Sequence, residues 1–279
     1  MNLYEIIKYG EEKLVNVDNG INEAKYFAED LFSLSKIDFI NAKDIELTRI
    51  QSEKYISAID KRLQNIPYNY IVGFKEFYGR KFVVDERVLV PRYETEIMID
   101  YLEKHYMNSK PERILDLCTG SGVIGITLNK IFNVKTVISD ISKSALEVAK
   151  INANNLKANV DILESDLFSN INGKFDLITM NPPYVPEDRK NKLQIEIQKY
   201  EPQHAIFAGD DGLYLIKKFI DELDKYTEPN FISIIEIDET QKEKLIDYLK
   251  NRTFKFEFIK DFQNLNRFLI LKGSEIDVK

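Results

Sequence analysis

The sequence predicts an α/β fold: a mostly parallel sheet with a C-terminal antiparallel hairpin, preceded by a small all-α domain and a β-hairpin linker. Three observations predict it. Up to about residue 65, apolar residues recur at helical spacing with no strand alternation. From residue 93, short apolar runs alternate with helical stretches, the rhythm of parallel strands joined by crossover helices. The last two strands are separated only by Asp261 to Asn266, too short for a crossover and suited to an antiparallel pair.

In chain order, Ala24, Phe27, Ala28, Leu31 and Phe32 make one apolar helical face, and Leu47, Ile50, Tyr55, Ile59 and Leu63 make another within 46–63. Residues 1–72 read as a helical domain whose expected task is to dock a partner. Phe74 to Val84 reads as two short strands about a Gly79-Arg80 turn, so 73–92 reads as a hairpin linker. The α/β domain then fills 93–279. Its expected strands are 113–117, 135–139, 160–164, 175–180, 231–237, 254–260 and 267–272. Its expected helices are 94–106, 122–131, 142–155, 211–226 and 239–250.

Composition narrows the function classes. The 279 residues are 44% hydrophobic and 30% charged, and no apolar run approaches a membrane span. The first residues lack the basic-then-apolar pattern of a secretory signal. One cysteine excludes an intramolecular disulfide and a cysteine-cluster metal site. The two histidines, His105 and His204, read as ordinary surface or half-buried side chains. A cytoplasmic, metal-free monomer with no membrane association is expected. The net charge of -7 divides into 9 Lys/Arg against 12 Asp/Glu up to residue 72, and 30 against 34 beyond it. Neither part has the basic excess of a protein that grips phosphates, so direct nucleic-acid binding is not expected.

The residues that carry chemistry lie at strand ends. Asn181-Pro182-Pro183-Tyr184 follows the apolar run 175–180. Its prolines stiffen the turn, because each fixes its own φ and restricts the residue before it. The Asn181 side chain and the Pro182 carbonyl are acceptors for an NH2 group, and Tyr184 offers a flat face to a planar group. Upstream, Cys118-Thr119-Gly120-Ser121-Gly122 follows the strand 113–117 and opens a helix, whose free N–H groups suit polar ligand atoms. Gly120, Gly122 and Gly125, with Asp140 ending the next strand, also satisfy the dinucleotide fingerprint of a dehydrogenase. Against that reading, Asp116, Asp166 and Asn181-Pro182-Pro183-Tyr184 converge on the same crevice, outside the carboxyl ends of the strands. The set suits S-adenosylmethionine: Asp140 for the ribose hydroxyls, Asp166 for the adenine amino group, Asp116 for the ammonium end.

These motifs resemble a class I S-adenosylmethionine-dependent methyltransferase with a Rossmann-like sheet. Glu76-Phe77-Tyr78-Gly79, Val90-Pro91-Arg92-Tyr93-Glu94-Thr95-Glu96 and Tyr200-Glu201-Pro202-Gln203-His204-Ala205 narrow the resemblance to the HemK/PrmC family of release factor glutamine methyltransferases. It implies methylation of the glutamine amide in the Gly-Gly-Gln loop of peptide chain release factors, which would be the protein partner, with S-adenosylhomocysteine as co-product. Cofactor contacts carry over to Cys118, Thr119, Gly120, Ser121, Gly122, Asp140, Leu167 and Asn181, and substrate contacts to Asn181, Pro182, Pro183 and Tyr184. Three positions depart from the family: Cys118 and Asp238 stand where glycine is usual, and Leu167 where an aromatic residue is common. Rival readings are a nucleic-acid adenine methyltransferase and a ribosomal-protein glutamine methyltransferase.

Overall fold

The computed structural model describes residues 1–273, which divide into two compact units. The first is Met1–Phe74 with Gln194–Tyr200, and the second is Lys75–Leu193 with the described residues from Glu201 onward.

The first unit contains α1 (Leu3–Lys13), α2 (Gly20–Phe32), α3 (Lys36–Ile40), α4 (Arg49–Leu63) and α5 (Tyr68–Val72). Asn2 and Thr48 open α1 and α4 with reciprocal capping boxes, each satisfying two backbone donors that a helix start leaves free. Leu3, Ile6, Leu14, Ala24, Phe27, Ala28, Tyr55 and Ile59 form the core. Gly10 allows the close approach, since a Cβ there would lie 2.2 Å from the Tyr55 hydroxyl oxygen. The face expected on α4 is corrected in part: Ile50 is 78% and Leu63 43% exposed. The helix starts at Arg49, and its buried stripe runs Tyr55, Ala58, Ile59, Arg62.

In the hairpin, β1 (Phe74–Phe77) pairs with β2 (Arg80–Val83). The turn is Tyr78-Gly79, not Gly79-Arg80. Both residues have positive φ, +48° and +68°, as the tight hairpin turn that matches strand twist requires. The second unit continues with α6 (Glu96–His105), β3 (Arg113–Leu117), α7 (Val123–Phe132), β4 (Lys135–Asp140), α8 (Lys143–Asn155), β5 (Val160–Glu164) and β6 (Phe175–Met180). The chain next forms α9 (Ile195–Tyr200), which belongs to the first unit and was not anticipated from sequence. It ends with α10 (Tyr214–Glu222), β7 (Thr227–Glu236), α11 (Lys242–Leu249), β8 (Lys255–Lys260) and β9 (Asn266–Lys272).

The seven-stranded sheet has the order β5-β4-β3-β6-β7-β9-β8. The first five strands in this order are parallel, and β9 runs antiparallel to both β7 and β8. A dinucleotide-binding sheet has the parallel order 3-2-1-4-5-6, so the inserted antiparallel β9 separates this fold from the dehydrogenase alternative. Helices cover both faces, so parallel strands such as β6 are apolar nearly throughout. Leu115 and Leu117 enter one core and Ile114 the other, as the two-residue period of a strand dictates. Leu117 pairs with Ser139 and Met180, Asp140 with Glu164, and Met180 with Ile235, so the carboxyl ends of five strands stand level.

Candidate active site

At these strand ends the second unit encloses a cavity of about 440 Å³, within the usual size range of small-molecule sites. Its wall includes Cys118, Thr119, Gly120 and Ser121 after β3, Asp140 and Ile141 after β4, Asp166 and Leu167 after β5, and Asn181 and Pro183 after β6. Arg92, Thr95 and His204 join them from other segments.

Asp116 is not part of that wall. It is fully buried behind the glycine loop. Its Oδ2 accepts from the Thr119 hydroxyl at 2.5 Å and from Gly125 N–H at 3.0 Å, and its Oδ1 accepts from the Thr179 hydroxyl at 2.7 Å. With both oxygens engaged, it shapes the loop instead of meeting a ligand's ammonium group. Burial pushes its carboxyl up to about 6, against the lowering effect of those three bonds. Gly125 is required for the contact: a Cβ there would lie 2.4 Å from Ile138 and 2.9 Å from the Asp116 Cβ.

Gly122 also lies outside the wall. It caps α7 at φ +86°, and a Cβ would lie 2.6 Å from Ile126 Cδ1. Gly120 differs: its φ is +54°, and a Cβ would meet open space. Asp140 Oδ2 accepts from Gly120 N–H at 2.9 Å, and Oδ1 accepts from Ser142 N–H at 2.9 Å. Burial raises the Asp140 carboxyl, while those backbone donors lower it. Cys118 adopts φ +54°, in the region that favours glycine. Its half-buried side chain packs against the core, and burial together with Asp140, Asp116 and Asp166 holds its thiol well above the ordinary range. A neutral thiol is a poor nucleophile.

Asp166 presents an exposed carboxylate whose Oδ2 receives Lys218 Nζ at 2.9 Å, tying α10 to the turn after β5. Leu167 is buried at φ +47°, giving that turn an aliphatic wall. Tyr214, at the start of α10, adds an exposed aromatic ring to the cavity.

The Asn181-Pro182-Pro183-Tyr184 turn is only partly in the wall. Asn181 and Pro183 line the cavity; Pro182 is buried outside it. Tyr184 is also outside the wall, packed against the core, and its hydroxyl donates to Glu236 Oε1 at 2.9 Å. The hydroxyl is therefore engaged by the protein, which fixes the ring beside the turn. Glu236 is the principal residue that sequence reasoning missed. The signal was a carboxylate inside the apolar run Phe231 to Ile237. Arg92 is another, its Nη2 lying 2.8 Å from Oε2 of the buried Glu201. His204 lines the cavity as well. Of the carboxylates around the start of α6, Glu96 accepts from Tyr78 N–H at 3.0 Å, and Glu94 is not in the wall. Asp238 caps the turn after β7 by accepting from Thr240 N–H at 3.0 Å, and its φ of -77° needs no glycine.

Known proteins share this architecture. Residues 93–199 match the methyltransferase small domain, and residues 5–73 match the PrmC N-terminal domain. The release factor glutamine methyltransferase of Bacillus cereus is 34% identical, over 85% of this chain and 86% of that one. The enzyme of the same name from Thermodesulfovibrio yellowstonii is 36% identical, over 91% of this chain and 93% of that one. Among solved structures, a methyltransferase from Pyrococcus furiosus aligns with a TM-score of 0.55 at 19% identity, covering 78% of this chain and all of that one. The hMettl16 catalytic domain bound to a MAT2A 3′UTR hairpin aligns at 0.58 and 15% identity, covering 91% and 92%. These two structures share the fold.

Proposed function

Since the chain belongs to the release factor glutamine methyltransferase family, we propose that it methylates the side-chain amide nitrogen of the glutamine in the Gly-Gly-Gln loop of peptide chain release factors, using S-adenosylmethionine. The observation that carries the reading is one cavity in which Asn181 shares a wall with Asp140 and the loop from Cys118 to Ser121.

The donor set fits that cofactor. Asp140 offers acceptor oxygens to ribose hydroxyls, Asp166 to an adenine amino group, and Gly120 leaves space at the wall for close approach. Leu167 and Ile141 supply apolar walls for the base. The bound cofactor supplies an electrophilic methyl group on a sulfonium. The protein's task is to hold a poor nucleophile, since an amide lone pair is delocalised into its carbonyl. Asn181 Oδ1 accepts one amide N–H, which fixes the nitrogen and favours the positive charge that develops there. The amide nitrogen would gain the methyl group and give up one proton, with the methyl carbon's former bonding pair left on the cofactor's sulfur. That proton is acidic after transfer, so no strong general base is assigned. Orientation supplies much of the acceleration, because effective molarities of aligned groups reach roughly 10⁵–10⁸ M. The helical unit is assigned to docking the release factor, and the cytoplasm, where release factors work, is the assigned location.

The test uses labelled S-adenosylmethionine with a release factor, its loop Gln→Ala variant, and DNA and RNA controls. Mass spectrometry should place one methyl group on the loop glutamine. Methylation of nucleic acid but not of the factor would sink the proposal.

A further inference from the structure

Glu236 ends β7 among apolar side chains and is 1% exposed. Its oxygens serve two different segments. Oε2 accepts from the Thr95 hydroxyl at 2.7 Å, and Oε1 accepts from the Tyr184 hydroxyl at 2.9 Å. Thr95 belongs to the cavity wall, and Tyr184 ends the turn that brings Asn181 and Pro183 into it. A carboxylate taken out of water is costly unless hydrogen-bonded. Burial raises this one, and Thr95, Tyr184 and the nearby Arg267 charge oppose the rise. Glu236 itself does not line the cavity.

The segment after β7 grips the same turn again. Gln241 Nε2 donates to the Tyr184 carbonyl at 3.1 Å and to the Asp211 carbonyl at 3.2 Å. Arg189, five residues past Tyr184, meets Asp238 Oδ2 at 2.8 Å. These bonds hold backbone and flank. Among the described residues, Glu236 is the one that holds the Tyr184 side chain while also reaching Thr95 in the wall. The prolines limit the internal dihedrals of the turn, yet they leave its tilt over the strand end to outside contacts.

We propose that Glu236 is a positioning residue for methyl transfer: its carboxylate fixes the Asn181–Tyr184 turn through the Tyr184 hydroxyl and the cavity wall through the Thr95 hydroxyl. The role rests on the amide-methylation reading of the cavity. Asn181 must meet the reacting nitrogen to a fraction of an ångström, and a misplacement of about 1 Å costs roughly 10²-fold in rate.

Three variants test it: Glu236→Gln, Glu236→Ala and Tyr184→Phe. A glutamine keeps both contacts, because its oxygen accepts from Tyr184 and its NH2 donates to the Thr95 oxygen. Glu236→Gln should keep kcat within about threefold, while Glu236→Ala and Tyr184→Phe lower it about 10²-fold. KM for the release factor and calorimetric affinity for S-adenosylhomocysteine should stay within about threefold in all three. In the cofactor-free protein, the Asn181 side-chain amide resonances should broaden in Glu236→Ala and Tyr184→Phe and stay sharp in Glu236→Gln. Unchanged kcat and resonances in Tyr184→Phe would overturn the proposal, as would equal losses in Glu236→Gln and Glu236→Ala. If wild type methylates a different NH2 substrate, the amide reading fails. The same variant ratios on that substrate, with the resonances, then judge Glu236 separately.

Discussion

Asn181 is the only polar side chain that the Asn-Pro-Pro-Tyr turn contributes to the cavity wall. Asn181→Ala should therefore lower kcat by at least about 10²-fold, the usual cost of one transition-state hydrogen bond. Much of the calorimetric affinity for S-adenosylhomocysteine should remain; retained turnover would place the acceptor elsewhere. Asp116 acts through stability instead. Its folded-state carboxyl is pushed up to about 6 from an ordinary 3.8, so the folded form holds its proton more tightly than the unfolded chain. Its contribution is complete below about pH 4 and is lost as pH rises through 6, amounting to about 3 kcal/mol. In urea unfolding, wild type should lose stability over that window relative to Asp116→Asn; parallel profiles would show that Asp116 does not titrate there. The motif made Asn181 legible in the sequence because the chemistry needs an acceptor at a strand's end. The Tyr184 hydroxyl contact is not legible there, because its partner is 52 residues away and local sequence carries no trace of such a pairing.

Elements were easier to read where period and burial agree. β3, β5 and β6 span the expected residues because an apolar run between turn residues has no competing reading. The start and phase of α4 were not legible: Ile50 fits the helical period but is left exposed, and Arg62 is buried by an ion pair that hydrophobicity does not signal. The glycine loop shows how one motif holds two kinds of requirement. Gly122→Ala forces a positive φ and a clash with Ile126, so it should cost about 1–3 kcal/mol in denaturant unfolding. Gly120→Ala meets only open space, so it should destabilise less and instead weaken binding of S-adenosylhomocysteine. If both variants lose stability alike with binding intact, the two glycines share one backbone role.

At the scale of the whole molecule, the chain order and the compact units do not coincide. Gln194–Tyr200 follows the Asn-Pro-Pro-Tyr turn in sequence but belongs with Met1–Phe74 in space. A division at single cut points along the sequence does not describe this excursion. An ion-pair cluster contributes to its attachment. Arg62, 5% exposed, places Nε 2.6 Å from Glu23 Oε2 and Nη1 2.8 Å from Glu196 Oε2. Tyr200 adds a hydroxyl bond to the Gln64 carbonyl at 2.9 Å. Burial raises the Glu23 carboxyl, and the Arg62 guanidinium opposes that rise. Removing one partner of a buried ion pair is costly, about 3–5 kcal/mol, because the other charge stays buried and uncompensated. Arg62→Ala leaves the buried Glu23 in that condition and breaks the ion pair of the half-buried Glu196. Amide hydrogen exchange in Ile195–Tyr200 and in α2 should therefore accelerate, while β3 amides keep wild-type protection. Exchange that stays slow throughout Ile195–Tyr200 would mean that the Tyr200–Gln64 bond and apolar packing suffice to hold α9, with the buried arginine dispensable for it.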